Sequence, residues 1–443
     1  MDILIKATQL ILSLSIFVLL HELGHFIPAK LFKTRVERFF LFFDPWFALF
    51  KKKIGGTLYG IGWLPLGGYV KISGMIDENF DKSYKNRPSQ PWEFRSKPAW
   101  QRLIIMLGGI IVNTLLAIVI FSGLFFHYGE TYLPTKNMKY GIAVDIVGRQ
   151  LGLENGDSIQ YVDGKYIENF RDLPTAILLG KEITLDRMGK TITLPLDDKK
   201  KSILFDRKEL GLFISPRVPT IVKNVVKNSG ADKAGLKVED EILAINSEPV
   251  FFTDQIHEIL SQKKENTVIL SINRGGELFE KTAHMDKHGK LGIDLSNLRD
   301  MRSIFKMEKK HYSLAESIPA GATKTWKSLM IQVDFFKQIF NTDTKAYKQV
   351  GSIFSMAKVF SPQWNWELFW GFTANLSVWL AFLNLLPIPS LDGGYVLFTV
   401  VEMITGKKIG EKFLEKAITV GFIFIALLMI VVLSWDTFKN FIN

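Results

Sequence analysis

The chain of 443 residues contains no cysteine. This excludes disulfide bonds, zinc ligation by thiolates and a cysteine nucleophile, and it leaves the redox compartment undetermined. Histidine is also scarce, with seven in the whole chain. The net charge is +11, but no basic run interleaved with aromatic residues indicates a nucleic-acid partner. We therefore expect no nucleic acid and attribute the positive excess to membrane topology.

Four stretches are almost purely apolar, which excludes both a soluble single-domain enzyme and a disordered chain. They run from about Ile3 to Phe26, from Leu103 to Phe126, between Leu368 and Val401, and between Ala417 and Trp435. Each is long enough to cross roughly 30 Å of hydrocarbon as a helix. The first begins like a signal peptide but lacks a small-residue cleavage site, so we expect it to remain as an uncleaved span.

The loop between the first two spans, residues 27–100, has 13 Lys or Arg against 6 Asp or Glu. Positive loops face the cytoplasm, so this loop and the short Lys-rich loop after the third span are predicted to be cytoplasmic. Four spans then place both termini and the long segment 127–367 outside.

The first span contains His21-Glu22-Leu23-Gly24-His25, an H-E-x-x-H sequence. Residues four apart share a helix face, so His21 and His25 can ligate one Zn²⁺, and Glu22 can act as a general base. A surface helix with incidental His and Glu is the simpler alternative. However, His21 lies 18 residues after Ile3, about 27 Å along a helix, and ionisable groups at that depth normally mark function.

A second His pair, His284 and His288, has the same spacing but lacks the glutamate and lies in polar sequence. We predict no metal site there.

The third span supplies a candidate third ligand for the metal. Pro387 and Pro389 interrupt the helical hydrogen bonds, and Asp392 follows at this break, where it could reach inward. Asn384 could bind a substrate backbone. The alternatives are that Asp392 is a turn residue at the membrane surface and that Asn384 makes a hydrogen bond between helices.

H-E-L-G-H in a first span, with N-x-x-P-x-P-x-L-D-G in a later one, resembles the site-2 protease family of intramembrane zinc proteases. The resemblance covers essentially the whole chain. It also includes three shorter segments, Arg35–Phe39, Pro65–Lys71 and Gln101–Arg102. Three family elements depart from the usual pattern: Ser377–Leu380 with Trp379, Gly109–Asn113 with Ile110, and Gly351–Phe354.

The resemblance implies zinc on His21, His25 and Asp392, with Glu22 as general base and Asn384 near the substrate. It implies an endopeptidase in the bacterial inner membrane, with its site toward the cytoplasmic side. The expected substrates are transmembrane segments of single-span proteins. An anti-sigma factor already trimmed outside is one such protein, and leftover signal peptides are another group.

Short strands are predicted at Val36–Phe43, Thr57–Trp63 and Gly68–Ile72, which are rich in aromatic and β-branched residues. The apolar block Leu41–Phe50 could dip into the membrane if its backbone is paired. We expect Val36–Phe43 to provide a sheet edge to which an unwound substrate adds as a strand. A folded loop that shields the site is the alternative.

Residues Leu151–Asp163 parallel Ala234–Asn246, 83 residues later, which indicates a tandem repeat of domain size. The shared G-L-x-x-x-D-x-I pattern is similar to PDZ domains. The pair could bind substrate tails or act as a size filter, and we favour the filter.

After the repeats, Ala322, Trp326, Leu329, Val333 and Phe336 follow helical spacing. This pattern is typical of an amphipathic helix on the membrane surface, and packing onto a PDZ-like domain explains it equally well.

We therefore predict an α-helical polytopic membrane protein with four transmembrane helices, a membrane-associated β element and two inserted PDZ-like domains. The expected segments are 1–34 (first helix), 35–75 (β region), 76–99 (cytoplasmic loop), 100–127 (second helix), 128–215 and 216–301 (PDZ-like), 302–365 (amphipathic), 366–403 (third helix) and 411–436 (fourth helix).

Two other function classes are possible for such a chain. A non-catalytic scaffold predicts that one or more of the metal ligands is missing, whereas all three candidate ligands are present here. A transporter predicts inverted repeats of spans with matched interruptions, which the sequence does not have.

Overall fold

A computed structural model describes residues 2–75, 88–205, 213–262, 267–286, 289–296 and 301–441. The chain divides into two compact units. Unit 1 comprises Met1–Gly129, His311–Lys337 and Gln349–Asn443, and unit 2 comprises Glu130–Lys310 and Gln338–Lys348.

The α-helices of the described part, in chain order, are α1 Asp2–Leu31, α2 Ala99–Tyr128, α3 Ile146–Gln150, α4 Leu173–Leu179, α5 Asp198–Phe205, α6 Gly230–Lys233, α7 Thr253–Gln262, α8 Met301–Ile304, α9 Leu314–Ile339, α10 Ile353–Val359, α11 Trp366–Leu385, α12 Asp392–Thr405 and α13 Glu411–Phe441.

The β-strands of the same residues are β1 Val36–Leu41, β2 Phe43–Ile54, β3 Thr57–Leu64, β4 Tyr69–Ile72, β5 Glu130–Tyr132, β6 Ile142–Val144, β7 Ser158–Val162, β8 Lys165–Tyr166, β9 Glu182–Arg187, β10 Lys190–Pro195, β11 Ile214–Pro216, β12 Val222–Val225, β13 Glu241–Ile245, β14 Glu248–Pro249, β15 Thr267–Arg274, β16 Glu277–His284, β17 Ile293–Leu295 and β18 Glu308–Lys310.

Among the described residues of unit 1, four helices are long and apolar enough to cross a membrane, as the sequence predicts: α1, α2, α11 and the greater part of α13. The predicted interruption of the third span is also confirmed, because α11 ends at Leu385 and a separate helix, α12, begins at Asp392. Pro387 and Pro389 lie in the gap. With 20 residues, α11 is long enough by itself to cross about 30 Å.

The predicted strands after α1 form a four-stranded sheet in the order β2-β3-β1-β4. β1 runs parallel to β3 and antiparallel to β4, so it lies inside the sheet. The expectation that Val36–Phe43 offers a free edge is therefore wrong, because both of its sides are already hydrogen-bonded. The edges are β4 and β2, and β2 was not predicted as a strand.

Strand β2 was not predicted from the sequence, because its side chains do not alternate between a core and water. Trp46, Phe47, Leu49 and Phe50 are all more than half exposed, and Trp46 is 92% exposed. One side of the β2 backbone is paired with β3, and the other side is an open edge. The condition that the backbone must be paired for such an apolar segment to enter a bilayer is therefore met on one side of the strand.

Helix α9 packs on the other helices of unit 1 through small and polar residues as well as apolar ones. Ser317, Gly321, Thr325 and Ser328 are buried, and Ser328 donates to Asn375 of α11 at 3.2 Å. Leu329 packs on a buried cluster of α2 and α11, and the ring of Phe336 meets that of Phe382 at 5.6 Å, whereas Trp326 is 61% exposed. Small residues at a helix contact are typical of helix packing in a bilayer.

Unit 2 contains two sheets of the same construction. Their strand orders are β10-β9-β7-β8 and β16-β15-β13-β14, which correspond strand for strand. In each sheet a buried aspartate is held by an arginine at the end of a strand. Arg187 binds Asp157 through two bonds of 2.8 Å, and Arg274 binds Asp240 through bonds of 2.6 and 2.7 Å.

Each aspartate also accepts a hydrogen bond from a backbone amide three residues before it, Glu154 for Asp157 and Lys237 for Asp240. The sequence repeat thus produces the same charge-assisted contact twice.

We expect Asp240→Asn to destabilise the second sheet by about 1–3 kcal/mol, because the guanidinium of Arg274 then loses the negative charge of its buried partner. Burial raises the pKa of Asp240, but the hydrogen bonds from Arg274 and the Lys237 amide outweigh it and hold the pKa below its usual 3.8. The stabilisation is present above pH 3.8 and is lost as the pH falls through the lower folded-state pKa.

The difference between Asp240→Asn and the parent chain in hydrogen exchange at β13 should therefore shrink between pH 7 and pH 3. The control is Glu280→Gln, which removes an exposed carboxylate of β16 and should not change the hydrogen-exchange rate of β13 at either pH. An equal effect of both substitutions would contradict the role of the buried contact.

Candidate metal centre

Helix α1 presents His21 and His25 on one face, and both side chains are buried. Their Nε2 atoms are 3.2 Å apart. Asp392, the first residue of α12, brings its Oδ2 to 3.4 Å from Nε2 of His21 and to 3.2 Å from Nε2 of His25. Three side chains from the two ends of the chain thus meet at one point inside unit 1.

These three atoms have the chemistry of metal ligands. Nδ1 of His25 lies 2.8 Å from the carbonyl oxygen of Ile105, which can only accept, so Nδ1 carries the proton and Nε2 presents a lone pair. Oδ2 of Asp392 is buried at ion-pair distance from both rings but is not in hydrogen-bond geometry with either. Facing lone pairs repel one another unless a cation lies between them.

The spacing of the three atoms also fits a metal. Ligands 2.0–2.1 Å from a tetrahedral zinc ion lie about 3.3–3.4 Å from one another. The three observed distances are 3.2–3.4 Å. The residues present therefore fit a zinc ion and leave its fourth position open.

Glu22 follows His21 on the same helix but is not one of the three ligands. It is buried, and its carboxylate accepts a hydrogen bond from the backbone amide of Val70 in β4. The chain enters β4 so close to α1 that a Cβ at Gly68 would lie 3.2 Å from Cγ of Glu22. One edge of the sheet therefore lies beside the carboxylate that is the candidate base.

The break after α11 orients Asp392 toward α1. Ser390 has a φ of +93°, an unusual angle for a residue with a side chain, and Leu391 bonds back to the carbonyl of Ile388 at 3.0 Å. At the end of α11, Nδ2 of Asn384 lies 3.3 Å from Nε2 of His21. The two residues singled out in the third span are therefore both brought to the His pair.

Helix α2 contributes Gly109 and Asn113, two residues of a family element to which the sequence assigned no role. A Cβ at Gly109 would lie 2.4 Å from Nε2 of His25, so the two imidazoles occupy the space that a side chain would fill. Asn113, one turn further, lies 3.3 Å from Nδ1 of His21 and is fully buried. The sequence signals were the family element itself and, for Asn113, an amide within an apolar stretch.

Of the second His pair, His284 lies 2.9 Å from the hydroxyl of Thr267, and His288 lies outside the described residues. Among the described residues, the group of His21, His25 and Asp392 is the one whose atoms could hold a metal ion.

Comparison with known proteins assigns a family to the chain. The model of peptidase family M50 matches residues 9–428. A protein of Haemophilus influenzae named regulator of sigma E protease is 28% identical, and the alignment covers 93% of this chain and 94% of that protein. A protein of Yersinia pestis named protease RseP is 27% identical over 97% of each chain.

A third relative, from Treponema pallidum, is named as a candidate zinc metalloprotease. It is 25% identical over 96% of this chain and 97% of its own length.

The close approach of α2 to the His pair makes a testable prediction. Gly109→Ala should displace the imidazoles and weaken zinc binding by at least about tenfold, as measured by the metal content of the purified chain after dialysis. The matched control is Gly123→Ala on the same helix, where an added Cβ meets no atom within 4 Å. Normal zinc content in Gly109→Ala would contradict the observed packing.

Proposed function

The chain belongs to peptidase family M50, and on that premise we propose that it is a zinc endopeptidase that cleaves transmembrane segments of single-span membrane proteins. The observation that carries the proposal is the convergence of His21, His25 and Asp392 beside Glu22, in helices long and apolar enough to cross a membrane. The names of the relatives support zinc and proteolysis.

The proposed ligands are Nε2 of His21, Nε2 of His25 and Oδ2 of Asp392. Zinc bound there would supply a Lewis acid that polarises a carbonyl and lowers the pKa of water to about 7. Three protein ligands are the number that catalytic zinc sites commonly have.

Glu22 is the proposed general base. Its carboxylate takes a proton from the attacking water and later gives it to the leaving amine. The Val70 amide holds this carboxylate in place beside the ligands rather than among them. The side-chain amide of Asn384, at the rim of the site, donates to the oxygen that becomes negative when the substrate carbonyl is attacked.

A transmembrane substrate must unwind before it can react, because the carbonyls of a helix are already hydrogen-bonded. We propose that the unwound stretch adds to the edge strand β4, which lies beside Glu22. The other edge strand, β2, exposes Trp46, Phe47 and Leu49, which suit the bilayer. This assigns the membrane-associated role to β2 and the substrate-binding role to β4.

We propose that the chain lies in a bacterial inner membrane with its termini and the two repeated domains in the periplasm, since the Lys-rich loops favour the cytoplasm. The likeness of the repeats to PDZ domains, and their proposed action as a size filter, rest on the shared sequence pattern and the matching strand orders.

An anti-sigma factor already trimmed outside the membrane is the proposed substrate, because a relative over nearly the full length is named regulator of sigma E protease. Remnant signal peptides are a further proposed substrate.

Replacing Glu22 by Gln tests the mechanism, because it keeps the ligands and removes the base. We expect cleavage of a single-span substrate in reconstituted vesicles to fall about 10²–10⁴-fold, with the zinc content unchanged. Glu367→Gln, at an exposed position in the first turn of α11, is the matched control and should retain activity. Full activity of Glu22→Gln would refute the proposal.

The absence of cysteine allows the substrate edge to be located by disulfide cross-linking. Single cysteines at Lys71 in β4 and at Lys52 in β2, each combined with Glu22→Gln, would be paired with single cysteines along the substrate span. We expect cross-links from β4 and none from β2. Cross-links from β2 alone would show that the other edge holds the substrate.

A further inference from the structure

Asn113 of α2 is a buried polar side chain beside the metal centre. It is 0% exposed, and its Nδ2 lies 3.3 Å from Nδ1 of His21. Its Oδ1 is buried and meets no hydrogen-bond partner among the residues that the structure describes. A buried acceptor without a donor is rare in folded proteins.

The contacts of Nε2 of His21 determine whether Nδ1 of the same ring carries the proton. Nε2 of His21 faces Nε2 of His25 at 3.2 Å, Oδ2 of Asp392 at 3.4 Å and the amide of Asn384 at 3.3 Å. An Nε2 that binds a metal presents its lone pair, so the proton of the neutral ring is on Nδ1. Nδ1 then needs an acceptor, which an amide NH₂ group does not provide.

Exchanging the oxygen and the nitrogen of the Asn113 amide removes both problems. The two orientations have the same shape, so hydrogen bonding decides between them. After the exchange, Oδ1 accepts from Nδ1–H of His21 and is no longer unpaired. We infer that Asn113 presents its side-chain oxygen to His21 and thereby holds this imidazole in the tautomer and orientation that bind zinc.

Helix α2 then orients both imidazoles. The carbonyl of Ile105 accepts from Nδ1 of His25 at 2.8 Å, and Oδ1 of Asn113 performs the same task for His21. Acceptors of this kind, which contact the ligand and not the metal, commonly fix the ring of a metal-binding histidine. Asn113 is accordingly a positioning residue. Because the Ile105 acceptor is a backbone atom, Asn113 is the member of the pair that substitution can test.

This inference rests on the proposed zinc site, so its test measures zinc affinity in the full-length chain in detergent by competition with a chelator of known affinity. Asn113→Leu, which has the same number and branching of side-chain heavy atoms and no acceptor, should bind zinc about 10–100-fold more weakly. Asn113→Asp keeps an oxygen toward His21 and should remain within about threefold of the parent chain, a rescue that a purely structural role would not show.

The matched control is Ser377→Ala. Ser377 donates to the backbone carbonyl of Asn113 at 2.9 Å, so its removal disturbs the same helix contact without touching the side-chain amide. It should leave zinc affinity unchanged. His21→Ala tests the metal site itself. If it binds zinc as well as the parent chain does, the proposed site is wrong, whatever Asn113 does.

If His21→Ala loses zinc but Asn113→Leu binds it as tightly as the parent chain, the role of Asn113 is overturned and the metal site stands. If Asn113→Leu does not fold, as judged by gel filtration, the zinc affinity of Asn113→Asp tests the inference instead. If Asn113 in fact presents its NH₂ group to His21, the new carboxylate would face a lone pair of the ring. A tenfold or greater loss of zinc affinity in Asn113→Asp would therefore overturn the inference.

Discussion

The elements around the metal centre share one constraint, which is to hold together three buried acceptor atoms that repel one another in the absence of a cation. Two imidazole nitrogens and a carboxylate oxygen lie 3.2–3.4 Å apart, beside the buried side chains of Glu22 and Asn113. Such an arrangement is unfavourable by itself and becomes favourable around a cation. The neighbouring helices and strand hold these three atoms together.

Each neighbouring element contributes in a different way. Helix α1 places two ligands one turn apart, and the proline-containing break before α12 turns Asp392 toward them. Helix α2 approaches without side chains at Gly108 and Gly109 and provides acceptors for the outer nitrogens of the rings. Strand β4 fixes Glu22 through a backbone amide. Irregular backbone is tolerated at this depth because surrounding protein satisfies its polar groups.

The sheet after α1 shows which structural features a local sequence pattern predicts and which it does not. Strands β1, β3 and β4 were predicted within a few residues, because short aromatic and β-branched runs between glycines are a local signal. Their pairing was not predicted. β1 became an inner strand, which moved the proposed substrate edge to β4. In α9 the pattern identified Leu329 and Phe336, which contact neighbouring helices, but missed the buried small residues such as Gly321, because a small residue at a helix contact leaves no hydrophobic signal.

The sequence by itself determined the features that a single element carries. These are the four apolar helices, the interruption of the third, the His pair one turn apart and the repeat in unit 2. The resemblance to a known family also implied that Asp392 joins the His pair. Only the tertiary structure decided which other distant residues meet: Gly109 beneath the rings, Val70 on Glu22 and Asn113 behind His21. The reason is physical. Periodicity reports how one segment meets its surroundings, whereas a contact between residues far apart in the chain leaves no regular trace in either segment.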